Sequence, residues 1–182
     1  MTAALQRWLD GSYTIERRMM LDVLVTHADT HATQRFQALN EAVVEKCESG
    51  HTVRLAVSVD GVPFTSYATD GLIVATPTGS TAYSLSARGP IVSPQHRALL
   101  LTPVSPHMLF DRALVLDPDE PVTIEVLGHR PAALAIDGRR TAGLTEGDSV
   151  LCRPAVEVAR FVRFGVRHFH QILKTKFDLP DR

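Results

Sequence analysis

Seven of the eleven side chains from Thr76 to Ser86 carry a hydroxyl (Thr76, Thr78, Ser80, Thr81, Tyr83, Ser84 and Ser86), and no charged residue occurs from Gly71 to Ala87. Such a segment offers many hydrogen-bond donors and acceptors without a fixed charge. It follows the apolar run Leu72-Ile73-Val74-Ala75, turns at Pro77 and Gly79, and then offers Ser80 or Thr81 as the N-cap of a short helix through Tyr83 and Leu85. First-turn amides suit a phosphate or ribose oxygen. The hydroxyls suit adenine, ribose and carboxamide groups, and Tyr83 offers a ring for stacking. Ser/Thr-rich strand-to-helix turns also occur in proteins that bind nothing, and composition leaves the two readings level. Neither a Walker lysine motif nor Gly-x-Gly-x-x-Gly is present.

Other polar residues have two readings as well. Asn40-Glu41 reads equally as a hydrogen-bonding pair or as a surface turn between strands. Asp137-Gly138 is a hairpin dipeptide whose carboxylate could also serve a site, whereas Asp60-Gly61 is read as a turn only. His107, which follows Pro103 and Pro106, is expected to be buried and bonded to backbone rather than catalytic.

The elements that must position these residues are mostly strands. Tyr13 to Val25 alternates with period two, as do Val53, Leu55, Val57 and Val59, which stop at Asp60-Gly61 before the chain resumes through Phe64 to Ala68. Further short apolar runs lie at 72–75, 98–101, 113–116, 122–126, 133–136, 150–152 and 156–162, with turn residues between nearly all of them. About nine strands at this spacing predict a mainly β, two-sheet sandwich-like domain rather than repeating βαβ units. Helix is expected in two places, after the hydroxyl-rich turn and at the end of the chain, where Phe169, Ile172, Leu173 and Phe177 have helical spacing. The six Lys/Arg at 153, 160, 163, 167, 174 and 176 against Glu157 give a local charge of +5, which reads as a solvated helix face.

Composition narrows the rest. The 182 residues are 45% apolar, with 19 basic against 20 acidic side chains, enough for one cored domain and too neutral for a nucleic-acid arm. Cys47 and Cys152 make no disulfide framework and no Cys/His spacing suits a structural metal, so no metal ligands are expected and a cytoplasmic setting is. No apolar stretch approaches the length of a membrane span, and residues 1–11, with Gln6, Arg7 and Asp10, lack a signal-peptide core.

The run Asp70-Gly71-Leu72-Ile73-Val74-Ala75-Thr76-Pro77-Thr78-Gly79-Ser80-Thr81-Ala82-Tyr83-Ser84-Leu85-Ser86-Ala87 resembles the signature of NAD kinases, which phosphorylate NAD to NADP with ATP or polyphosphate. Three further segments resemble family elements in the same order: the Asn-Glu motif within Ala38 to Val44, Leu101 to His107 followed by Leu109 to Arg112, and Ala135 to Arg140. The likeness runs from about Leu9 to Leu179. One departure is Arg88, where the family commonly has glycine; it is expected to sit at the rim of the site rather than in a positive-φ position.

The resemblance implies a C-terminal, NAD-binding and oligomerising domain forming residues 1–182, whose α/β partner domain carries Gly-Gly-Asp-Gly; this chain contains no Gly-Gly pair. It implies that Asn40 and Glu41 hydrogen-bond the adenosine ribose and orient its 2′-hydroxyl. It further implies that Thr78, Thr81, Ala82, Tyr83 and Ser86 line the dinucleotide pocket, that Asp70 reaches NAD from a neighbouring subunit, and that Asp137 and Glu41 support catalysis. Mg²⁺ would accompany the nucleotide, and the assembly would be a homodimer or homotetramer. Without the donor loop the chain alone is expected to be inactive, because phosphoryl transfer depends on positioning and charge neutralisation. Two other readings remain: a non-catalytic NAD(P)-binding or kinase-partner module, and a lipid or diacylglycerol kinase relative, which the uncharged Thr76 to Tyr83 run disfavours.

Overall fold

The computed structural model describes residues 2–166 and 168–180. They form two compact units, Met19–Ala159 and the pair of segments Met1–Arg18 and Arg160–Arg182. Arg167, one of the six basic residues of the terminal run, lies outside the described residues.

The first strands are β1 (Thr14–Thr26), β2 (Thr33–Ala38), β3 (Glu41–Lys46), β4 (Val53–Val59), β5 (Val62–Thr69) and β6 (Gly71–Ala75). After the hydroxyl-rich segment come β7 (Leu99–Val104), β8 (Leu114–Leu116), β9 (Val122–Leu127), β10 (Ala132–Ile136), β11 (Arg139–Leu144) and β12 (Ser149–Arg163). They build two six-stranded antiparallel sheets, ordered β2-β1-β12-β9-β4-β5 and β11-β10-β3-β6-β7-β8. The mainly β, two-sheet expectation is therefore met.

Sidedness explains which runs alternate. In β4 and β9 every second side chain enters the core between the sheets, as a sheet with one solvated face requires. By contrast β6 and β10 are buried at all five positions. Their even-numbered residues Leu72, Val74, Leu134 and Ile136 join the main core. Their odd-numbered residues Ile73, Ala75 and Ala135, with Val43 and Leu100, form a second cluster on the outer face, closed by Ala87 and Val92. The segment after β6 thus folds back as a cover on its own sheet.

The structure also departs from the expected elements. Residues 150–152 and 156–162 belong to one strand, β12, which continues through Arg153-Pro154. Apolar alternation does not mark β2 or β11, because TQRFQA and RRTAGL are polar and lie at sheet edges, and the Asn40-Glu41 pair proves to open strand β3 at Glu41. A helix, α1 (Thr2–Leu9), precedes β1. The Asp60-Gly61 and Asp137-Gly138 pairs both close hairpins with positive φ at both residues (49° and 73°; 46° and 77°), the type I′ pattern.

In the terminal unit, Trp8 stacks on Tyr13, Arg7 donates to the Phe164 carbonyl, and Glu16 pairs with Arg18 and Arg163. The terminal helix α3 (Phe169–Lys176) forms as expected and buries no residue completely. Part of the basic run is not a bare solvated face: Arg163 is held by Glu16 and Arg153 by the buried Asp22. No described helix is long and apolar enough to cross a membrane.

Among the described residues, Tyr67 is a polar misfit within the main core. Tyr67 on β5 is 1% exposed, and its hydroxyl is buried without a partner. An unmet hydroxyl carries a desolvation cost that phenylalanine avoids. Tyr67→Phe should leave thermal stability unchanged or raise it by about 1 kcal/mol, roughly 2–4 °C in Tm; a clear loss on calorimetric melting would show that the hydroxyl is bonded in solution.

Candidate functional site

The β3 strand lies between β10 and β6, with Glu41 opposite Ala75 and Ala42 opposite both Val74 and Ile136. The start of β3 and the ends of β6 and β10 therefore meet at one edge. Three turns leave that edge together: Leu39-Asn40, Thr76 to Thr81, and Asp137-Gly138.

The first two turns are locked by backbone. The Thr76 amide donates to the Asn40 carbonyl at 2.8 Å, and the Thr76 hydroxyl donates to the Leu39 carbonyl at 2.7 Å while accepting the Gly79 amide at 3.1 Å. A Cβ on Gly79 would lie 2.1 Å from the Asn40 carbonyl oxygen, so only glycine permits this approach. The third turn adds a carboxylate: Asp137 accepts the Leu39, Asn40 and Glu41 amides at 2.8, 2.7 and 3.1 Å.

The hydroxyls divide into two sets. Thr76, Ser80 and Ser84 are fully buried and serve the fold: the Ser80 hydroxyl donates to the Pro77 carbonyl at 2.7 Å and accepts the Val92 amide at 3.1 Å, and Ser84 bonds Thr102 at 3.0 Å. Thr78 and Thr81 are half-buried, and Tyr83 and Ser86 are exposed. Both the binding and the scaffold readings of the segment thus have residues to fill them.

The expected cap differs. A 3-10 turn spans Gly79–Thr81, Ala82 breaks it, and a four-residue helix, α2 (Tyr83–Ser86), follows with no side-chain cap. Ser80 and Thr81 cannot cap because the turn already includes them. Arg88 is also corrected: it is exposed but has φ of 65°. The Gly89 amide reaches back to the Ser84 carbonyl at 2.8 Å, so Arg88 occupies the left-handed position that ends helices and favours glycine. His107 is exposed rather than buried, and its backbone amide donates to the Ala68 carbonyl at 2.7 Å.

Glu41 is the most unusual group at this edge. It is 5% exposed, its Oε2 has no partner, and the Tyr83 amide hydrogen-bonds the carboxyl. Burial, reinforced by the Asp137 charge, pushes its pKa up to about 7 against the Tyr83 bond. Asp70 lies at the opposite end of β6, paired with Lys46 Nζ at 2.6 Å. Burial raises the Tyr83 phenol, as do Glu45 and Asp70, so both carboxylates act on that ring. Sequence reasoning missed Glu45, although it shares the Glu41 face of β3 by period two. Among the described residues no three His, Cys, Asp or Glu side chains converge as metal ligands.

Residues 39–164 match the ATP-NAD kinase C-terminal domain family. The chain belongs to that kinase family. It is 45% identical over 176 residues to the NAD kinase of Heliobacterium modesticaldum, covering 96% of this chain and 62% of that protein. With NAD kinase 2 of Streptomyces coelicolor it is 41% identical over 175 residues, covering 96% and 58% respectively. The chain thus spans about three-fifths of these relatives' length. Yeast NADH kinase complexed with NADH superposes with a TM-score of 0.92 at 28% identity, covering all of this chain and 54% of that one. An Archaeoglobus fulgidus NAD kinase in complex with ATP shares the fold, with a TM-score of 0.76 at 24% identity over 96% of this chain and 65% of that one.

Two stability measurements probe the site of this kinase-family domain. Arg88→Gly should relieve about 1 kcal/mol of left-handed strain and raise Tm by roughly 2–4 °C; an unchanged or lower melting point would mean that the arginine side chain offsets its backbone. Glu41 has a folded pKa of about 7 against an ordinary 4.5, so the folded state binds the extra proton and this group's share of stability falls as pH rises between those values. Glu41→Gln should abolish that slope in urea melts across the same window, and an unaltered slope would place the titration elsewhere.

Proposed function

We propose that this chain is the NAD-binding, oligomerising domain of an NAD kinase, the enzyme that transfers a phosphoryl group from ATP or polyphosphate to the 2′-hydroxyl of NAD. The observation that carries this reading is the buried Glu41 carboxyl with an unpartnered Oε2, at the edge from which Thr78, Thr81 and Tyr83 emerge. An unmet buried acceptor is costly, and a ribose hydroxyl would relieve that cost by donating to it.

Each residue then has a physical task. Asn40 and Glu41 hold the adenosine ribose and orient the 2′-hydroxyl. Thr78, Thr81, Ala82 and Ser86 border the dinucleotide, and the exposed Tyr83 ring stacks on a base. Asp70, a strand length away from Glu41, reaches NAD from a neighbouring subunit of a homodimer or homotetramer. The Gly-Gly-Asp-Gly loop of an N-terminal α/β domain handles the donor with Mg²⁺, outside these 182 residues. The two free cysteines, Cys47 exposed and Cys152 buried, suit the reducing cytoplasm.

Calorimetric titration with NAD tests the reading. The chain should bind NAD, and Tyr83→Ala should weaken binding about fivefold, the lower end of a base-stacking contribution. Supplied with ATP and Mg²⁺, the chain alone should form no NADP. Absence of saturable NAD binding would overturn the site assignment, and turnover by the chain alone would overturn the requirement for the donor loop.

A further inference from the structure

A hairpin turn needs the left-handed backbone of an Asp-Gly pair; it does not need the carboxylate. In the β10–β11 turn the Asp137 carboxylate instead crosses to a segment nearly a hundred residues earlier. Its Oδ2 accepts the Leu39 amide at 2.8 Å, and its Oδ1 accepts the Asn40 and Glu41 amides at 2.7 and 3.1 Å. The Asp137 amide returns a bond to the Glu41 carbonyl at 3.0 Å. Three successive amides converging on one anion form a nest, here filled by a side chain of the same protein. Both Asp137 oxygens are thereby engaged, whereas Glu41 Oε2 is not.

We propose that Asp137 is a positioning residue, which gathers the Leu39, Asn40 and Glu41 amides and so aims the Glu41 carboxyl at the Tyr83 amide and the ligand edge. This deepens the NAD-binding reading and rests on it for the identity of the ligand. It predicts that ligand hydroxyls meet Glu41, with Asp137, itself exposed in its turn, acting through the three amides rather than on the ligand. Among the described residues the groups that act on Glu41 are Asp137 from the β10–β11 turn and the Tyr83 amide from α2, while the uncharged Ala75 pairs with it across β6 and Glu45 lies further along the same face of β3. Asp137 adds its charge to burial in raising Glu41. Neutralising Asp137 at constant shape should therefore do two separable things, loosen three amides and let Glu41 ionise at lower pH.

Asp137→Asn makes that change, since asparagine also tolerates left-handed φ. Hydrogen exchange at Leu39, Asn40 and Glu41 should accelerate about tenfold relative to the rest of β3 and β10, the effect of losing one net hydrogen bond. The Glu41 carboxyl, followed by ¹³C NMR and assigned with Glu41→Gln, should titrate at a lower pH than in the parent chain, and NAD affinity at pH 7.5 should fall. Unchanged exchange, or faster exchange with an unmoved Glu41 midpoint, would overturn the proposal, the second because a merely structural turn leaves that midpoint alone. Should the variant not fold, the Leu39, Asn40 and Glu41 amides of the parent chain must be protected from exchange as a set; exchange at the rate of an open turn at any of the three would overturn it equally. Exchange and titration need no ligand, so they decide the role of Asp137 even if NAD proves not to bind.

Discussion

Everything at the candidate site depends on how closely two backbones approach where β6 ends. The Gly79 Cα lies against the Asn40 peptide so tightly that a methyl group would sit 2.1 Å from its carbonyl oxygen. That approach lets Thr76 bond both Leu39 and Asn40, and it turns the chain back over the sheet it has just left. Val43, Ile73, Ala75, Leu100 and Ala135 would otherwise face water; with Ala87 and Val92 above them they form a second apolar cluster. The close contact thus links burial, which stabilises the sheet, to placement, which brings Tyr83 over Glu41.

That linkage explains why a segment so rich in hydroxyls is also so free of charge. Thr76, Ser80 and Ser84 are at 0% exposure, and a buried ion without a partner would cost several kcal/mol. Small hydroxyls can instead satisfy carbonyls and amides of the tight turn, as Ser80 does with Pro77 and Val92. Beside these three residues, Thr78 and Thr81 are half-buried and Tyr83 and Ser86 are exposed. Composition could not separate the two sets, because the distinction is one of facing and not of chemistry.

The sequence makes legible those features that local pattern controls. The run 72–75, the β4–β5 hairpin at Asp60-Gly61 and α3 all appear where apolar spacing and turn residues put them. What it hides falls into three physical classes. Edge strands such as Thr33–Ala38 and Arg139–Leu144 bury too little to show alternation. Backbone conformation can override residue preference, as at Arg88 with its positive φ and at Pro154 inside a continuous strand. Long-range polar contacts leave no periodic trace, and the Asp137 bonds to residues 39–41 belong here. The Asn40-Glu41 pair was recognisable as a motif; that its amides are held by an aspartate in a distant hairpin was not.

Electrostatics adds a constraint of its own. A dinucleotide carries a negatively charged pyrophosphate, yet Glu41, Glu45, Asp70 and Asp137 all lie on or beside the sheet edge and face proposed for it. Three of these carboxylates limit their field in different ways. Asp137 spreads its charge over three amides, Asp70 is neutralised by Lys46, and Glu41 holds its proton until pH reaches about 7. Glu45 is the remaining carboxylate, near Tyr83 and four residues along β3 from Glu41. On the proposed reading, repulsion at the ribose end is lowest when Glu41 is protonated, while acceptance of a ribose hydroxyl is strongest when it is ionised. On the same reading, a carboxyl that titrates near neutrality sits between these demands, and its unpaired oxygen would take from the ligand the hydrogen bond that the fold itself withholds.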